Sequence, residues 1–395
     1  MKTVLILGAG VYQIPMIRKA REMGYRVIVA SYRAEDPGMA LADETWVVDT
    51  TDREGILARA RETGIDAITT TGTDVAVPTI GYVCDALGLP GVSYDTALMA
   101  ASKTRMQDRF AEFGVPAAAF RKVRDLSQAM NAAEQIGYPV VVKTPDSSGS
   151  RGVTMVDSPD GIESAFLTAM QLARHGEVLV EQCLTGLEFG AQVVVYEGRV
   201  VHCLCHNDTV TPPPITVPIG HSCPFGLSPE MLAEATEVCD KAVKALGIRD
   251  GVCNADLIGT SDGVRMFEIG ARIGATGLPE IIGLHYGLDL YEAALRMASG
   301  ETPDLRLTTG PASAYLLIRA ERDGILARAR VPQEVSSLPG LRGVNFDYPE
   351  GHSVRAFKTG PDRIGDVLVT ARTADEADEL ARQVVDSLDI EVTDA

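Results

Sequence analysis

YPVVVKTPDSSGSRGVTMV, residues 138–156, is the stretch that decides the fold, because two runs of β-branched residues flank a polar loop. Val140–Val142 and Val153–Val156 predict two strands, and the Ser/Gly segment between them predicts a hairpin turn. Glycines in such a loop let backbone N–H groups approach a phosphate, and Lys143 would add an ammonium beside it. A phosphate-binding hairpin and an ordinary Gly-rich hairpin both fit this stretch. It is not a Walker P-loop, because no helix follows the loop.

The composition restricts the class of protein. A chain of 395 residues with 46% hydrophobic residues predicts two or three domains with sizeable cores. The net charge of −18 argues against nucleic acid and anionic membranes as partners. Seven cysteines without a CxxC pair suit a reducing cytosol, and we find neither a signal-peptide pattern nor a membrane-length apolar run. We therefore expect a cytoplasmic protein with small-molecule partners and no membrane or nucleic-acid contact.

The N-terminal segment predicts a parallel α/β sheet. Helical patterns separate several short apolar strands, which is typical of that architecture. The predicted strands are Thr3–Leu7, Arg26–Ala30, Thr45–Val48 and Ala67–Thr70.

A Gly-Ala-Gly motif follows the first predicted strand and raises the possibility of dinucleotide binding. Gln13 stands where the third glycine of GxGxxG belongs. Ser31-Tyr-Arg33 stands where an acid normally holds the ribose. Both departures make an NAD-dependent oxidoreductase the weakest of the alternatives.

Two further features, between residues 70 and 103, are candidate contacts. The Thr70–Asp74 loop follows a strand, where open α/β sheets bind ligands, so Thr73 and Asp74 are candidate substrate contacts; a plain loop fits equally well. Lys103 opens a predicted helix behind Ser102. A solvated surface lysine is the simpler interpretation of Lys103 taken by itself.

Glu181 and Glu188 bracket a short connection between predicted strands. Such a connection can offer backbone groups to a purine edge while a carboxylate takes the ribose hydroxyls. A loop with surface acids is the simpler interpretation.

Asp256 and Glu268 are acids in two otherwise apolar strands that predict a hairpin. Buried acids are costly unless they are paired or bind metal, and paired oxygen ligands suit Mg²⁺ shared with substrate phosphates. Arg272 follows closely and is placed to clamp a phosphate. Isolated salt bridges are the alternative, which the clustering of three ionisable groups makes less attractive.

The segment Asn207–Phe225 predicts an irregular, proline-containing loop, and at this length such a segment is usually functional or disordered. With His206 before it, the segment carries Asp208 and His221. We expect the acid to orient an amine and a neutral histidine to remove its proton. A surface connector is the alternative.

Taken together, these residues resemble the ATP-grasp superfamily over nearly the whole chain. The specific part is the order: lysine, strand lysine, Gly loop, E-x6-E, acid, E-x-x-x-R. The resemblance implies a mixed fold of the α/β and α+β classes. It implies a Rossmann-like pre-ATP-grasp domain (1–104), an ATP-grasp domain (105–300, small lobe about 115–190) and a β-rich C-terminal segment (301–395).

The resemblance also implies roles. Lys103, Lys143 and the loop 147–152, including Ser148, Gly149, Ser150 and Gly152, contact phosphates. Glu181 lies at the adenine edge with the backbone of Cys183 and Leu184, and Glu188 binds the ribose. Asp256 and Glu268 hold Mg²⁺, for which Mn²⁺ is a substitute, and Arg272 clamps the transferred phosphoryl group, so Glu268 and Arg272 are catalytic.

The superfamily usually has E-x-N-x-R, and Gly270 replaces that asparagine here, which puts a second metal ion in doubt. The chain is closest to a branch labelled glycinamide ribonucleotide synthetase-like or carbamoyl phosphate synthetase-like. The resemblance implies an ATP-dependent carboxylate–amine ligase that forms an acyl phosphate, and we expect a homodimer. The alternatives are a phosphoribosylamine–glycine ligase-like enzyme, a bicarbonate-dependent carboxylase and a non-catalytic nucleotide-binding protein.

Overall fold

The first segment of the chain folds around a parallel four-stranded sheet of order β3-β2-β1-β4, as predicted. The computed structural model describes residues 1–144, 152–173, 176–212 and 217–394. The elements of this segment are β1 (Thr3–Leu7), α1 (Ile14–Glu22), β2 (Arg26–Ser31), β3 (Glu44–Val47), α2 (Arg53–Thr63), β4 (Ala67–Thr69), α3 (Val77–Leu87) and α4 (Tyr94–Ala100).

Gln13 fills the loop between β1 and α1. Its Oε1 accepts from the Gly10 N–H at 2.9 Å, and its Nε2 donates to the Thr71 carbonyl at 2.5 Å. The side chain is buried, and a Cβ on Gly8 would lie only 3.1 Å from it. A dinucleotide pyrophosphate would need this space and the Gly10 N–H, and the expectation that NAD(P) is not the ligand stays a prediction.

A second, antiparallel sheet of order β5-β8-β6-β7 forms a small lobe. The predicted hairpin is present as β6 and β7, although its tip, with Ser148, Gly149 and Ser150, lies outside the described residues. Its elements are β5 (Phe120–Val123), α6 (Leu126–Ile136), β6 (Val140–Lys143), β7 (Val153–Val156), α7 (Ile162–Leu172) and β8 (Val178–Gln182). Helix α5 (Lys103–Phe113), which comes before the lobe in the chain, packs against α4.

The largest sheet has eight strands in the order β13-β12-β9-β10-β11-β14-β18-β16. The first five strands of this order belong to the predicted ATP-grasp region. The elements of that region from residue 187 onward are β9 (Leu187–Tyr196), β10 (Arg199–Val210), β11 (Pro218–Cys223), α8 (Pro229–Leu246), β12 (Gly251–Thr260), β13 (Gly263–Gly270), α9 (Leu278–Tyr286) and α10 (Leu290–Ala298).

The last segment completes that sheet and adds a small sheet of order β17-β15-β19. Its elements are β14 (Ala312–Arg319), β15 (Gly324–Arg330), α11 (Gln333–Ser336), β16 (Leu341–Phe346), β17 (Ser353–Val354), β18 (Arg363–Ala371), α12 (Ala374–Asp386) and β19 (Asp389–Thr393). Because β11 pairs with β14, the sheet is continuous across the proposed domain boundary at residue 300, which stays a prediction.

The prediction of an irregular segment from Asn207 to Phe225 is wrong for most of the residues that the structure describes. β10 continues to Val210 and pairs antiparallel with β11, and the register places Asp208 opposite His221. Neighbouring strands, some of them far away in sequence, provide hydrogen-bond partners for the backbone N–H and C=O groups of this segment. Its polar, proline-containing sequence does not reveal those partners.

Helix α8 covers one face of the large sheet. Ser228 caps the helix by accepting from the Met231 N–H, and Pro229 occupies the first turn. Its buried face, including Val238 and Ala242, packs with Phe189 and other apolar residues of the sheet. The described part of the chain contains no helix whose length and apolar character would suffice for crossing a bilayer.

Candidate functional site

The large sheet brings acids and a histidine from neighbouring strands into one row. Asp256 on β12 lies opposite Glu268 on β13. On its other side Asp256 lies opposite Gly190 on β9, which in turn lies opposite His206 on β10. Residues directly opposite each other in antiparallel strands project from the same face, so the three side chains share one surface.

Asp256 and Glu268 form an incompletely neutralised carboxylate pair. Burial, followed by the nearby Glu268 carboxylate, raises the pKa of Asp256 to about 7. The amide of Asn254 lies 3.4 Å from Asp256 Oδ1. Two opposed carboxylates, one of them buried, are a donor set whose mutual repulsion a divalent cation relieves, so the residues present fit Mg²⁺.

Lys103 lies beside this acid pair. Ser102 caps helix α5, which therefore begins at Lys103 and directs it toward the sheet. Its Nζ lies 2.9 Å from Glu268 Oε2. Burial opposes the charged form, but Glu268 outweighs it and raises the pKa of Lys103. The contact brings two of the predicted site residues together, and their role toward phosphate stays a prediction.

Lys143 and Glu181 form the corresponding pair in the small lobe. Lys143 Nζ lies 2.6 Å from Glu181 Oε2, with side chains 19% and 8% exposed. Glu181 Oε1 is buried and has no hydrogen-bond partner within the described ranges. That oxygen can still accept a hydrogen bond. An acid that contacts a donor group of a ligand needs such an acceptor.

The other predicted nucleotide contacts lie around the end of β8. The Cys183 N–H donates to the Pro139 carbonyl at 3.2 Å, and the role of the Cys183 backbone toward adenine stays a prediction. Leu184 is half-buried, and Glu188 is exposed near the start of β9.

Gly152, at the end of the hairpin tip, adopts φ +70°, and a Cβ there would lie 2.9 Å from Leu172 Cδ1. Both the left-handed backbone and the crowding favour glycine at this position.

Arg272 is held by Asp74 rather than standing free. Its Nε donates to Asp74 Oδ1 at 3.0 Å, and its Nη2 donates to Asp74 Oδ2 at 2.8 Å. Thr73 lies in the same loop, which joins the loop after β13 through a hydrogen bond from the Gly72 N–H to the Ile273 carbonyl. The bidentate pair ties a candidate substrate loop to the candidate phosphoryl clamp.

Gly270, which departs from the superfamily pattern, makes room for this pair. A Cβ at position 270 would lie 2.7 Å from Asp74 Oδ1 and 3.6 Å from the Arg272 guanidinium carbon. Any side chain there would therefore displace the Asp74 carboxylate. The sequence signal was the glycine itself, and sequence reasoning missed that Asp74 fills the space.

His206, Asp208 and His221 form a compact triad. Asp208 Oδ1 lies 2.8 Å from His206 Nδ1 and 2.6 Å from His221 Nδ1. Burial alone would raise the pKa of Asp208, but the two imidazoles hold it well below its usual range. An ionised carboxylate only accepts, so both Nδ1 atoms carry protons, and a ring that has lost its second proton accepts at Nε2.

Gly190 positions His206. A Cβ on Gly190 would lie 2.0 Å from His206 Cε1, so the imidazole lies over the glycine backbone, on the side of Asp256. His206 Nε2 is buried and has no partner in the described part of the chain. Sequence reasoning missed Gly190, although an isolated glycine in an apolar strand is a recognised signal of close approach.

A polar network beside the row, on the same face of the sheet, was also missed. Gln192 is fully buried; its Nε2 donates to Asn254 Oδ1 at 2.7 Å, and its Oε1 accepts from the Gly274 N–H at 2.9 Å. The network links two strands of the sheet to the loop that carries Arg272, which fixes their relative positions. Polar residues within apolar strands were the available signal.

Family models match most of the chain. Residues 102–306 match the model described as "Carbamoyl-phosphate synthase L chain, ATP binding domain". Residues 316–393 match the model described as "L-amino acid ligase C-terminal domain 2".

Individual proteins of known structure or name are also similar. The crystal structure of phosphoribosylglycinamide synthetase from Anaerococcus prevotii superposes with a TM-score of 0.87 at 26% identity, over 99% of this chain and 100% of that one. The L-amino acid ligase from Bacillus licheniformis has a TM-score of 0.83 at 21% identity, over 100% and 99% of the two chains, which shows a common fold. The L-arginine-specific L-amino acid ligase of Bacillus subtilis is 24% identical over 79% of this chain and 78% of its own length.

Proposed function

We propose that this chain, which belongs to the carbamoyl-phosphate synthase L chain ATP-binding family and hence to the ATP-grasp enzymes, is an ATP-dependent carboxylate–amine ligase. The product is an amide or peptide bond, and ATP is converted to ADP and phosphate. The observation that carries the proposal is the row of Glu268, Asp256 and His206 with Lys103 at one end. The likeness to two L-amino acid ligases supports the amine-ligase chemistry.

In this proposal the protein contributes charge neutralisation and positioning rather than covalent chemistry. Lys103 and Lys143 bind the phosphates, and Asp256 and Glu268 hold Mg²⁺ or Mn²⁺, which when bound offsets the charge that develops during phosphoryl transfer. Arg272, oriented by Asp74, presents its charge near both acids. The substrate carboxylate oxygen attacks the γ-phosphorus, ADP leaves, and an acyl phosphate results.

The second half of the reaction needs a base. The amine attacks the acyl carbon, phosphate leaves, and the nitrogen loses a proton. His206 Nε2 is suited to receive it, because Asp208 holds the proton of the ring on Nδ1 and leaves Nε2 free to accept. Asp208 thus acts on the histidines, in place of the direct contact with the amine that the sequence suggested.

The acyl phosphate provides the direct test. We expect an oxygen label in the β,γ-bridge of ATP to exchange position when the correct carboxylate is present, without any amine. Mg-ATP should stabilise the protein thermally, whereas NADH should not. If no acid in a broad screen causes exchange or raises ADP release, a nucleotide-binding protein without turnover is the better description.

Variants of the triad test the amine half-reaction. His206→Ala and Asp208→Asn should lower the rate of amide formation by about 10²-fold, the usual contribution of a positioned base, while Mg-ATP affinity stays nearly unchanged. Rapid-quench measurement of product against acyl phosphate separates the two steps. As a control, His285→Ala changes a histidine outside this row and should keep the wild-type rate. Unaltered kinetics in both triad variants would refute the assignment.

A purine-pathway ligase is the second candidate, favoured by the 26% identity and the TM-score of 0.87 with phosphoribosylglycinamide synthetase. Dependence of ADP release on phosphoribosylamine and glycine would support it. A bicarbonate requirement would instead indicate a carboxylase. A homodimer stays a prediction.

A further inference from the structure

A cavity of about 340 Å³ lies where the three segments of the chain meet. One wall is the loop after β1 with the start of α1, including Tyr12. A second wall is the loop 275–277 and helix α9, and the third is formed by β16, β18 and Asp347. The volume is that of a small-molecule site, and the loop of Arg272 leads directly into its wall.

Glu280 contributes an unsatisfied acceptor to this cavity. Its Oε1 accepts from the Tyr291 hydroxyl at 3.0 Å, but its Oε2 is buried and has no hydrogen-bond partner among the residues described. Burial raises the pKa of Glu280 to about 7. A buried carboxylate oxygen without a hydrogen-bond partner destabilises the folded protein, and a bound donor or cation would relieve that destabilisation.

Arg363, the buried cation of the cavity, is already neutralised. Its Nε and Nη2 donate to Asp347 at 2.7 and 3.0 Å, and Nη2 also donates to Asp366 at 3.1 Å. Its Nη1 donates to the Tyr315 hydroxyl at 2.8 Å. With these four contacts the guanidinium has little capacity left for an anion.

The charge balance therefore favours a cation. The carboxylates of Glu280, Asp347 and Asp366 face one buried guanidinium, and the second lining arginine, Arg18, is exposed. A phosphate placed here would meet an excess of carboxylates, whereas an ammonium or guanidinium would pair with the free oxygen of Glu280.

The wall of the cavity is held in a strained conformation. Thr276 is buried with φ +55°, an unusual backbone conformation for a β-branched residue. Gly277 follows, and a Cβ there would lie 2.0 Å from the Tyr315 ring. Strain of this kind persists where the surroundings fix a site, which indicates that the geometry around Glu280 is preformed.

We propose that this cavity binds a cationic group of a substrate, an ammonium or guanidinium remote from the reacting atoms, with Glu280 Oε2 as its acceptor. The inference rests on the proposed ligase function and narrows its substrate class to molecules such as basic amino acids or diamines. Phosphorylated substrates are disfavoured at this position.

Matched ligand pairs provide the test. Isothermal titration calorimetry of the full chain compares L-lysine with L-norleucine and L-arginine with L-citrulline. In each pair the second compound lacks the positive side-chain charge of the first but has nearly the same shape. We expect the charged member of at least one pair to bind at least about tenfold more tightly, as a hydrogen-bonded charge pair requires. Ribose 5-phosphate should bind more weakly than either charged amino acid.

Glu280→Gln should abolish the difference within each pair. The change removes a buried charge and keeps the shape, so thermal stability should be maintained or increased, and unchanged Mg-ATP affinity verifies the fold. Glu334→Gln, an exposed acid of α11, is the matched control and should keep the wild-type preference.

Three results would overturn the inference: equal affinity within both pairs, a preference that survives in Glu280→Gln, or tighter binding of ribose 5-phosphate. Failure of every cationic probe to bind at millimolar concentration would also contradict it. Positional exchange in ATP tests the ligase proposal and does not depend on these results. Either proposal can therefore be refuted without refuting the other.

Discussion

Glu268→Gln is expected to lower the rate of ADP formation at saturating substrate by at least about 10²-fold, because the proposed metal is needed most where charge moves during transfer. The variant keeps the shape of the side chain but loses one of the two opposed carboxylates and the partner of Lys103 at 2.9 Å. The concentration of Mg²⁺ required for half-maximal activity should rise. Initial rates over a range of Mg²⁺ concentrations at fixed ATP measure both effects.

Binding of Mn²⁺ by electron paramagnetic resonance adds a readout that does not depend on turnover, and the variant should bind the ion more weakly. Glu237→Gln is a suitable control, because Glu237 is exposed on α8 and pairs only with Lys241 at the surface. If Glu268→Gln retains the wild-type rate and Mg²⁺ dependence, the metal assignment is wrong.

Lys143→Ala is expected to weaken ATP binding by about 2 kcal/mol, close to thirtyfold, since it removes a charged partner of the phosphates. It should also destabilise the protein, because Glu181 would be left buried and unpaired, at a cost of about 3 kcal/mol. Calorimetric titration with Mg-ATP and urea unfolding measure the two effects separately.

The double variant Lys143→Ala/Glu181→Gln distinguishes them. Removing the orphaned charge should recover most of the lost stability but none of the lost ATP affinity. An ATP affinity for Lys143→Ala equal to that of the wild type would contradict the phosphate-binding role.

Local patterns in the sequence were sufficient for most elements. The β-branched runs around Lys143 predicted β6 and β7, and Ser102-Lys103 predicted the start of α5. These features depend on residues within one or two turns of each other, which is why they can be read from one stretch of chain. The ATP-grasp resemblance then predicted that these motifs belong to one ATP-dependent enzyme.

The end of β10 and the strand β11 could not be predicted in the same way. Asp208 and His221 meet because two segments pair across a turn, and β-pairing depends on a partner more than on local propensity. Both residues were candidates from the sequence, but the strand register is what brings His221, like His206, to one carboxylate oxygen of Asp208.

Residue type and spacing were enough to predict the family, the order of the chemical groups and the two acids proposed to bind metal. The packing of the segments was needed to reveal that Asp74 orients Arg272 in the space that Gly270 leaves, and that Glu280 has an oxygen without a partner among the described residues. Asp74 and Arg272 are 198 residues apart in the chain. Contacts over such separations follow from how whole segments pack, so no local pattern encodes them.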